Sequence, residues 1–384
     1  MASPVTSQPV DRPKEEGHLG AVPLRLSVVV PTFNESSNIH ELLGRLRATL
    51  DHGWEVIFVD DDSPDGTAAL VRELARHDPR VRVLQRIGRR GLSSACIEGM
   101  LAASAPVIAV MDADLQHDET KLPLMLEAVE KDGADLAIGS RYIEGGSTKG
   151  WDPTRAGMSR FATFLSHTVM KQSVSDPMSG FFMLRRAVID ETVRGLSALG
   201  FKILLDILAT AQRPLKVVEI PYVFRNRFSG ESKLDSVALW DFGMLLADKM
   251  IGKYVPVRFV MFAIVGVAGV VVHMATLSVT LQGLALPFLT SQAAATGSAM
   301  VFNFAVNNVL TYRDARLRGW RWWRGLASFV LACSVGAVAN VGVANYLFLE
   351  QTQWAAAALA GVAVGAVWNY TVTQLYTWGR GRTR

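Results

Sequence analysis

Two carboxylates and an amide follow a short apolar run, VIAVM, in the sequence Asp112-Ala113-Asp114-Leu115-Gln116. Aspartates two residues apart at the end of a strand can both face one hard divalent cation. Mg²⁺ and Mn²⁺ take oxygen ligands from carboxylates, amides and substrate phosphates. We expect Asp114 and Gln116 to be direct ligands, with Asp112 contacting either the metal or the bound ligand.

A second acidic cluster, Asp60-Asp61-Asp62, follows the apolar run VIFV. Three adjacent carboxylates repel one another, and at a strand end they can accept hydrogen bonds from a nucleobase imide and ribose hydroxyls. The segment PTFNE at 31–35 ends the first strand and is expected to form the opposite wall of a nucleotide pocket. The first strand is not followed by GxGxxG, and GxxxxGK[ST] is absent, which disfavours dinucleotide redox and P-loop chemistry.

Strands and helices alternate around these clusters. Apolar runs predict strands at Leu26–Val30, Glu55–Val59, Val81–Leu84, Val107–Met111 and Leu136–Gly139, with helices between them. This alternation predicts an α/β domain with a Rossmann-like, mostly parallel sheet, whose ligand groups lie at the carboxyl ends of the strands. The polar clusters lie at those ends.

Charge divides the 384-residue chain, whose formal net charge is +4, into two unlike parts. Residues 257–384 hold nine Arg and two acidic residues, net +7, whereas the first 256 hold 30 basic and 33 acidic residues, net −3. The soluble part lacks the basic footprint that a nucleic-acid-binding domain needs. Residues 1–25, with four prolines, are predicted to be a flexible tail, and the two cysteines match no metal or disulfide pattern.

Four apolar segments are long enough to cross a membrane as helices: 259–281, 288–310, 326–349 and 355–377. Eight of these nine arginines lie in the connection between the second and third segments or at the C-terminus. The positive-inside rule therefore predicts a multi-pass protein with both termini and the preceding domain in the cytoplasm. Asparagines within these segments either join helices or form a polar path or headgroup site. Stretches 156–174 and 234–254 are amphipathic, and we expect the second to lie at the membrane interface.

Seven motifs occur in order over residues 26–235: VVVPTFNE, VDDDSPDGT, GRRGLSSA, MDADLQHDE, GSRY, DPMSGFF and RNRFSGESKL. Together they resemble the glycosyltransferase family 2 enzymes that make polyprenol-phosphate sugars, and most closely the dolichol-phosphate mannose synthases. Residues 257–384 resemble the GtrA-like membrane module. The resemblance implies a GT-A catalytic domain at 26–233, interfacial amphipathic helices at 234–256 and an all-α domain of four transmembrane helices at 257–384.

The resemblance also assigns site residues. It implies that the nucleotide sugar is bound by Pro31, Phe33, Glu35, Asp60, Asp61, Asp112, Ala113, Asp114, Arg227 and Lys233. Asp112, Asp114, Arg227 and Lys233 would be catalytic, the two basic residues clamping the donor diphosphate. Arg141, Arg155 and Ser159 would meet the acceptor phosphate, and Mg²⁺ or Mn²⁺ would be held by Asp112, Asp114 and Gln116. Phe33 replaces the tyrosine often found in PTYNE, so a hydroxyl contact is lost while ring packing is retained.

These assignments imply transfer of one mannose, with inversion, from GDP-mannose to a polyprenyl or dolichyl monophosphate at the cytoplasmic membrane face. A metal, Arg and Lys stabilise the charge that develops on the leaving diphosphate. A phosphate monoester is already ionised near neutral pH, so a general base is dispensable and His117 is expected to be structural.

Three other functions compete with this one. Glucose transfer from UDP-glucose is the second choice of donor. A lipid-linked sugar translocase with a regulatory soluble domain belongs to another class of protein, and the complete acidic and basic site argues against it. A processive polysaccharide synthase is disfavoured because the sequence has no QxxRW motif. The sequence gives no oligomeric state.

Overall fold

A computed structural model describes residues 23–147, 162–197, 200–225, 236–252, 255–349 and 354–379. Its first part is a seven-stranded sheet in the order β3-β2-β1-β4-β6-β5-β7. The strands are β1 (Leu26–Thr32), β2 (Trp54–Asp60), β3 (Val81–Gln85), β4 (Val107–Val110), β5 (Leu136–Ser140), β6 (Phe182–Arg185) and β7 (Val217–Pro221). The predicted α/β class is confirmed, with the five predicted strands within two residues of their expected bounds.

Helices cover the sheet on both faces. They are α1 (Ser36–Thr49), α2 (Thr67–His77), α3 (Leu92–Ala102), α4 (Leu122–Glu130), α5 (Arg186–Thr192) and α6 (Ile203–Thr210). Every residue of β1 and β2 is buried, as expected for central parallel strands covered on both sides. Alternate side chains of β1 therefore enter two cores: Val28 and Val30 face α1 and α4, and Val29 faces α3.

One strand breaks the parallel pattern. β6 lies between β4 and β5 and is antiparallel to both, whereas β7 extends the sheet parallel to β5. This arrangement brings the segment before β6 back to the carboxyl end of β4. Residues 176–181, the DPMSGF part of one motif, therefore lie beside the turn that follows β4.

Helix α7 (Ser236–Ile251) links the sheet domain to the helical region. Its Phe242 and Leu245 are buried against Met178 and Leu205 of the sheet domain. Lys249 lies 2.5 Å from the fully buried carboxylate of Asp206. These contacts fix α7 to the sheet domain, and its place at the membrane interface stays a prediction. Of the amphipathic stretch 156–174, residues 162–166 are helical, 167–169 form a turn, and 156–161 lie outside the described residues.

Four long helices follow: α8 (Val257–Ser278), α9 (Phe288–Val309), α10 (Trp320–Leu349) and α11 (Trp354–Val372). One turn of π-helix extends α8 to Gly283 and α11 to Thr377. Within the described residues, Val257–Gly283 and Trp320–Ala339 are long and apolar enough to cross a membrane. The third helix begins at Trp320 rather than at the predicted 326, because the charged and aromatic residues before the apolar segment continue the helix.

The asparagines of these helices serve helix packing at two crossings. A Cβ at Gly269 of α8 would collide with the side-chain oxygen of Asn303 in α9. In the same way, a Cβ at Gly336 of α10 would collide with Asn369 of α11. Glycine thus lets each pair of helices approach closely, as small residues do in membrane helix packing. These contacts support the interpretation of these asparagines as helix-joining residues.

Candidate active site

The turn after β4 begins with a backbone bond to a buried histidine. The Asp112 N–H donates to His117 Nδ1 at 3.1 Å, which closes the turn on itself. Within it, Leu115 has φ of +62°, and the Gln116 N–H donates to Asp114 Oδ1 at 3.2 Å. The left-handed residue reverses the chain so that the side chains of 112, 114 and 116 share one short loop.

Gln116 is anchored to the segment that follows β7. Its Nε2 donates to the Arg225 carbonyl at 3.0 Å, and the Arg225 N–H donates to the Gln116 carbonyl at 3.0 Å. Arg225 also forms ion pairs with Asp118 and Glu119, both at 2.8 Å. Because the amide nitrogen is used in this bond, the amide oxygen is the atom that Gln116 can offer to a cation.

The donor set of this turn fits a hard divalent cation. Asp112 and Asp114 supply carboxylates and Gln116 supplies an amide oxygen, which are ligand types that Mg²⁺ and Mn²⁺ accept. The described residues contain no cluster of three or more His, Cys, Asp or Glu in metal-binding geometry. Two carboxylates with one amide match a metal whose remaining ligands are substrate phosphates and water.

His117 forms the floor of the turn. Its side chain is 2% exposed and stacks on Phe181, with ring centroids 5.3 Å apart. Tyr222 and Phe224 contact it edge-on, each at 5.9 Å. Burial in this aromatic box lowers the pKa of His117 to about 4, so the ring is neutral at pH 7. This environment agrees with the expected structural role.

Gly180 lies against the same carboxylate. A Cβ at this position would lie 3.1 Å from Asp112 Oδ2 and 3.4 Å from His117 Cε1. Next to it, Ser179 Oγ donates to the Gly139 carbonyl at 2.7 Å, which fixes the loop to the end of β5. Sequence reasoning quoted DPMSGFF as a motif without a role for its glycine, and the close approach to Asp112 supplies one.

The loops after β1 and β2 are joined to each other beside this turn. The Asn34 N–H donates to Ser63 Oγ at 3.0 Å, and the Ser36 N–H donates to Asp65 Oδ2 at 3.0 Å. The Glu35 N–H donates to Thr67 Oγ1 at 3.2 Å. Pro31, Phe33 and Glu35 thus share one wall with the acidic loop, rather than forming the opposite wall that the sequence predicted, and the nucleotide contacts stay a prediction.

Asp60 and Asp61 have different surroundings. Asp60 is fully buried and accepts bonds from Thr32 Oγ1 at 3.2 Å and from the Ser63 N–H at 2.9 Å. The sequence-based assignment gives Asp60 a nucleotide contact, whereas the structure shows a carboxylate that holds the loop. Asp61 is 7% exposed and accepts a bond from the Gly91 N–H at 2.7 Å.

Arg86 is a site residue that sequence reasoning missed. It is 1% exposed, forms an ion pair with Asp61 and lies 3.2 Å from Glu98 Oε1. Its guanidinium also donates to Ser94 Oγ at 2.6 Å. Burial raises the pKa of Asp61, and the bond from Gly91 and the Arg86 charge oppose that rise. An arginine directly after β3, facing an aspartate directly after β2, is the signal that could have found it.

The Phe33 ring forms a cation–π contact with an arginine. The guanidinium carbon of Arg90, in GRRG, lies 4.4 Å from the ring centroid. Arg90 is otherwise exposed, and its Nη2 lies 3.5 Å from the Asp62 carbonyl. The GRRG loop therefore extends the wall formed by PTFNE and the acidic loop.

Arg141, predicted to meet the acceptor phosphate, is engaged within the protein. It is 8% exposed, and its Nε and Nη2 donate to the two oxygens of Asp176 at 2.7 and 2.8 Å. The Asp176 pairing raises the pKa of the Arg141 guanidinium further above its usual value, against the effect of burial. The pair joins the end of β5 to the loop that carries Gly180, so its observed role is to position that loop.

Four other predicted site residues lie outside the described residues: Arg155, Ser159, Arg227 and Lys233. The acceptor side and the diphosphate clamp therefore stay predictions. Among the predicted residues that the structure does describe, Asp112, Ala113, Asp114 and Gln116 share one turn, and Pro31, Phe33, Glu35 and Asp61 share the neighbouring wall.

Comparison with known proteins defines the class of both parts. Residues 27–193 match the glycosyl transferase family 2 description, and residues 261–378 match the GtrA/DPMS transmembrane domain. A glycosyltransferase domain thus precedes a membrane domain, as the motifs predict. Among solved structures, glucosyl-3-phosphoglycerate synthase from Mycobacterium tuberculosis has a TM-score of 0.45 and 18% identity, over 59% of this chain and 79% of that chain.

Relatives define the family within that class. A dolichol-phosphate mannosyltransferase from Pyrococcus furiosus is 36% identical over 92% of this chain and 99% of its own. The Saccharomyces cerevisiae enzyme of that name is 33% identical, over 62% of this chain and 92% of its own. Polyprenol monophosphomannose synthase from Mycolicibacterium smegmatis is 36% identical, over 55% of this chain and 81% of its own. The chain belongs to the dolichol-phosphate mannosyltransferase family, and it is a glycosyltransferase with a membrane domain.

Proposed function

We propose that the chain transfers a single mannosyl unit from GDP-mannose to a polyprenyl monophosphate, with inversion, at the cytoplasmic face of a membrane. One observation carries the proposal. The Asp112–Gln116 turn, with oxygen ligands for a divalent cation, lies at the carboxyl edge of a sheet beside the wall formed by the loops after β1 and β2. The names of the 33–36% identical relatives support the sugar and the acceptor.

The donor is proposed to lie between these two groups. The nucleoside contacts Pro31, Phe33, Glu35 and Asp61, and the diphosphate points to the Asp112–Gln116 turn. Mg²⁺ or Mn²⁺, held by Asp112, Asp114 and Gln116, would neutralise charge on the leaving diphosphate. Arg227 and Lys233 are assigned to the same diphosphate, where Arg can bind two oxygens at once.

The acceptor phosphate is itself the nucleophile. One of its oxygens forms a bond to the anomeric carbon while the bond from that carbon to the diphosphate breaks, and the electron pair leaves with the diphosphate. Attack from the opposite face inverts the configuration. The acceptor oxygen is already ionised near pH 7, so no proton has to move. His117 is buried against Asp112, which agrees with a reaction that needs no histidine base.

The test offers radiolabelled GDP-mannose and UDP-glucose separately to the purified full chain with polyprenyl phosphate and Mg²⁺ or Mn²⁺. We expect a lipid-soluble mannosyl product that requires the acceptor and is lost with a chelator. Transfer from UDP-glucose alone would replace the proposal with glucosyl transfer. If neither donor is used but vesicles containing the chain translocate lipid-linked sugar, the protein is a translocase instead.

A further inference from the structure

Residues 316–324 run from the loop before α10 into its first turns, and they contain four arginines: Arg316, Arg318, Arg321 and Arg324. All four side chains are exposed. None of them forms an ion pair with another residue in the described part of the chain, where most other arginines have carboxylate partners. We refer to these four residues as the arginine array.

Two members of the array occupy an unfavourable position for the fold itself. Arg321 and Arg324 lie in the first turns of α10, which begins at Trp320. The amino end of a helix carries partial positive charge, so cations there are disfavoured and anions are favoured. Without carboxylate partners among the described residues, these two charges do not stabilise the helix, and an external anion would remove the unfavourable interaction.

The array is held in place by a buried asparagine. Asn308 of α9 is 2% exposed, and its Nδ2 donates to the Leu317 carbonyl at 3.1 Å. Its Oδ1 accepts from the Leu317 N–H at 2.8 Å and from Trp378 Nε1 at 3.2 Å. Leu317 separates Arg316 from Arg318, so the backbone that carries them is fixed to the helix bundle.

Tryptophans beside the array mark the depth of the membrane surface. Trp320 and Trp323 are 75% and 60% exposed, while Trp322 packs on Phe304 at 5.2 Å. Exposed tryptophans at the ends of membrane helices lie at the level of lipid headgroups. The residues of the array alternate with these rings along the chain and therefore lie at the same level.

We propose that the arginine array binds the phosphate groups of anionic phospholipids in the leaflet that it meets. Basic residues next to a membrane helix attract anionic lipids in this way. The inference uses the membrane domain and does not depend on which sugar or donor the catalytic domain uses.

The exposure of the array favours several bilayer lipids over one tightly held acceptor phosphate. Arg86, which holds Asp61, and Arg141, which holds Asp176, are both buried and surrounded by acceptors. The four guanidinium groups of the array are instead all exposed along the chain. Such an arrangement suits headgroups that exchange and are bound mainly by charge.

Native mass spectrometry of the detergent-solubilised full chain, titrated with phosphatidylglycerol or phosphatidylcholine, tests the proposal. We expect phosphatidylglycerol to bind more tightly. Each arginine lost should weaken binding about fivefold, the fold-change that corresponds to ~1 kcal/mol per basic residue, so R321Q/R324Q should lose about 25-fold. R321K/R324K, which keeps both charges, should retain binding.

The matched control is R76Q/R194Q, which removes two exposed arginines of the catalytic domain and changes the net charge equally. Equal phosphatidylglycerol affinity of R321Q/R324Q and this control would overturn the proposal. A raised KM for polyprenyl phosphate with unchanged phosphatidylglycerol binding would also overturn it, because the array would then serve the acceptor. Mannosyl transfer by R321Q/R324Q in phosphatidylcholine nanodiscs reports separately on the proposed catalytic function.

Discussion

His117 and Asp112 contact each other at two points. The Asp112 N–H donates to Nδ1, and Nε2 lies 3.7 Å from Asp112 Oδ2. Because Nδ1 accepts, the neutral ring carries its proton on Nε2, on the side of the carboxylate. The histidine therefore fixes the backbone of Asp112 and lies beside its carboxylate, which is the observed link between the aromatic box and the proposed metal site.

Asp114→Asn is expected to abolish mannosyl transfer while the fold is retained. The carboxylate is 7% exposed and lies in the proposed metal turn, and an amide binds Mg²⁺ or Mn²⁺ less strongly than a carboxylate does. The measurement is transfer from radiolabelled GDP-mannose, with the apparent melting temperature as the check on folding. Near-normal turnover at saturating metal would remove Asp114 from the metal site.

Gly180→Ala is expected to lower kcat about threefold to tenfold with little change in stability. The added Cβ would lie 3.1 Å from Asp112 Oδ2, so the carboxylate must shift by a few tenths of an ångström, and small misplacements in a site slow catalysis. Gly44→Ala, in the exposed face of α1 with open space around it, is the matched control. Unchanged kcat in Gly180→Ala would show that the position of Asp112 tolerates this shift.

Asp176→Asn should destabilise the catalytic domain by about 3–5 kcal/mol, because it leaves the Arg141 guanidinium buried without its carboxylate. The double variant Arg141→Met/Asp176→Leu removes both charges and should lose less. Denaturant unfolding of the detergent-solubilised chain compares the two. If the double variant is less stable than Asp176→Asn, the expectation is wrong, and the ion pair itself stabilises the fold.

Asp78 provides a pH-dependent test away from the site. It accepts from Arg47 Nη2 at 2.7 Å and Arg80 Nη2 at 2.9 Å, and these bonds hold the pKa of its carboxyl well below its usual range. A lowered folded-state pKa stabilises the fold above the unfolded value, near ~3.9, and this contribution is lost as pH falls towards the folded value.

Asp78→Asn should therefore cost about 1–2 kcal/mol at pH 7, since both arginines are partly exposed. The difference from the wild type should shrink below about pH 4. The apparent melting temperatures of the two proteins at pH 7, 5 and 3.5 give this difference. A gap that stays constant down to pH 3.5 would contradict the ionic origin of the effect.

Gly269→Leu and Gly336→Leu should each lower the stability of the helical region, because each leucine would collide with the asparagine that it faces. Overpacking typically costs about 1–3 kcal/mol. Gly266→Leu, at a position on α8 with nothing within 4 Å, is the control. Thermal unfolding in detergent should show two destabilised variants and an unaffected control, and equal melting of all three would remove the asparagines from helix packing.

The sheet was predicted where its signal is local. β1, β2 and β4 are continuous apolar runs, because both faces of each strand are buried, and such runs are visible in the sequence. β6 and β7 were missed. β6 is four residues long and pairs with strands far away in the chain, and every residue of β7 is only partly buried. Neither leaves a strong local pattern.

The site, like the sheet, was predicted where its residues lie close together in the sequence. The Asp112–Gln116 turn could be found because its residues are adjacent and follow a buried strand. Gly180 could not, since its role depends on Asp112, 68 residues away in the chain. Arg86 follows β3 directly, which is a local signal, but it was missed because its partner Asp61 lies 25 residues away. The pairing of Arg141 with Asp176 was missed for the same reason. Arg141 was expected to bind the acceptor phosphate, but in the folded chain it binds a carboxylate that lies 35 residues away.

The two Gly–Asn crossings lie at matching places in two hairpins, α8–α9 and α10–α11. Residues 302–312 and 368–378 align without a gap, and several matched positions hold the same or a similar residue. The matched pairs include Phe302 with Trp368, Asn303 with Asn369, Phe304 with Tyr370, Val306 with Val372, Thr311 with Thr377 and Tyr312 with Trp378. The last pair stacks ring on ring, 4.0 Å apart and 7° from parallel. The two hairpins thus share a Gly–Asn crossing and this short aligned stretch, and the matched residues Tyr312 and Trp378 join one hairpin to the other by stacking.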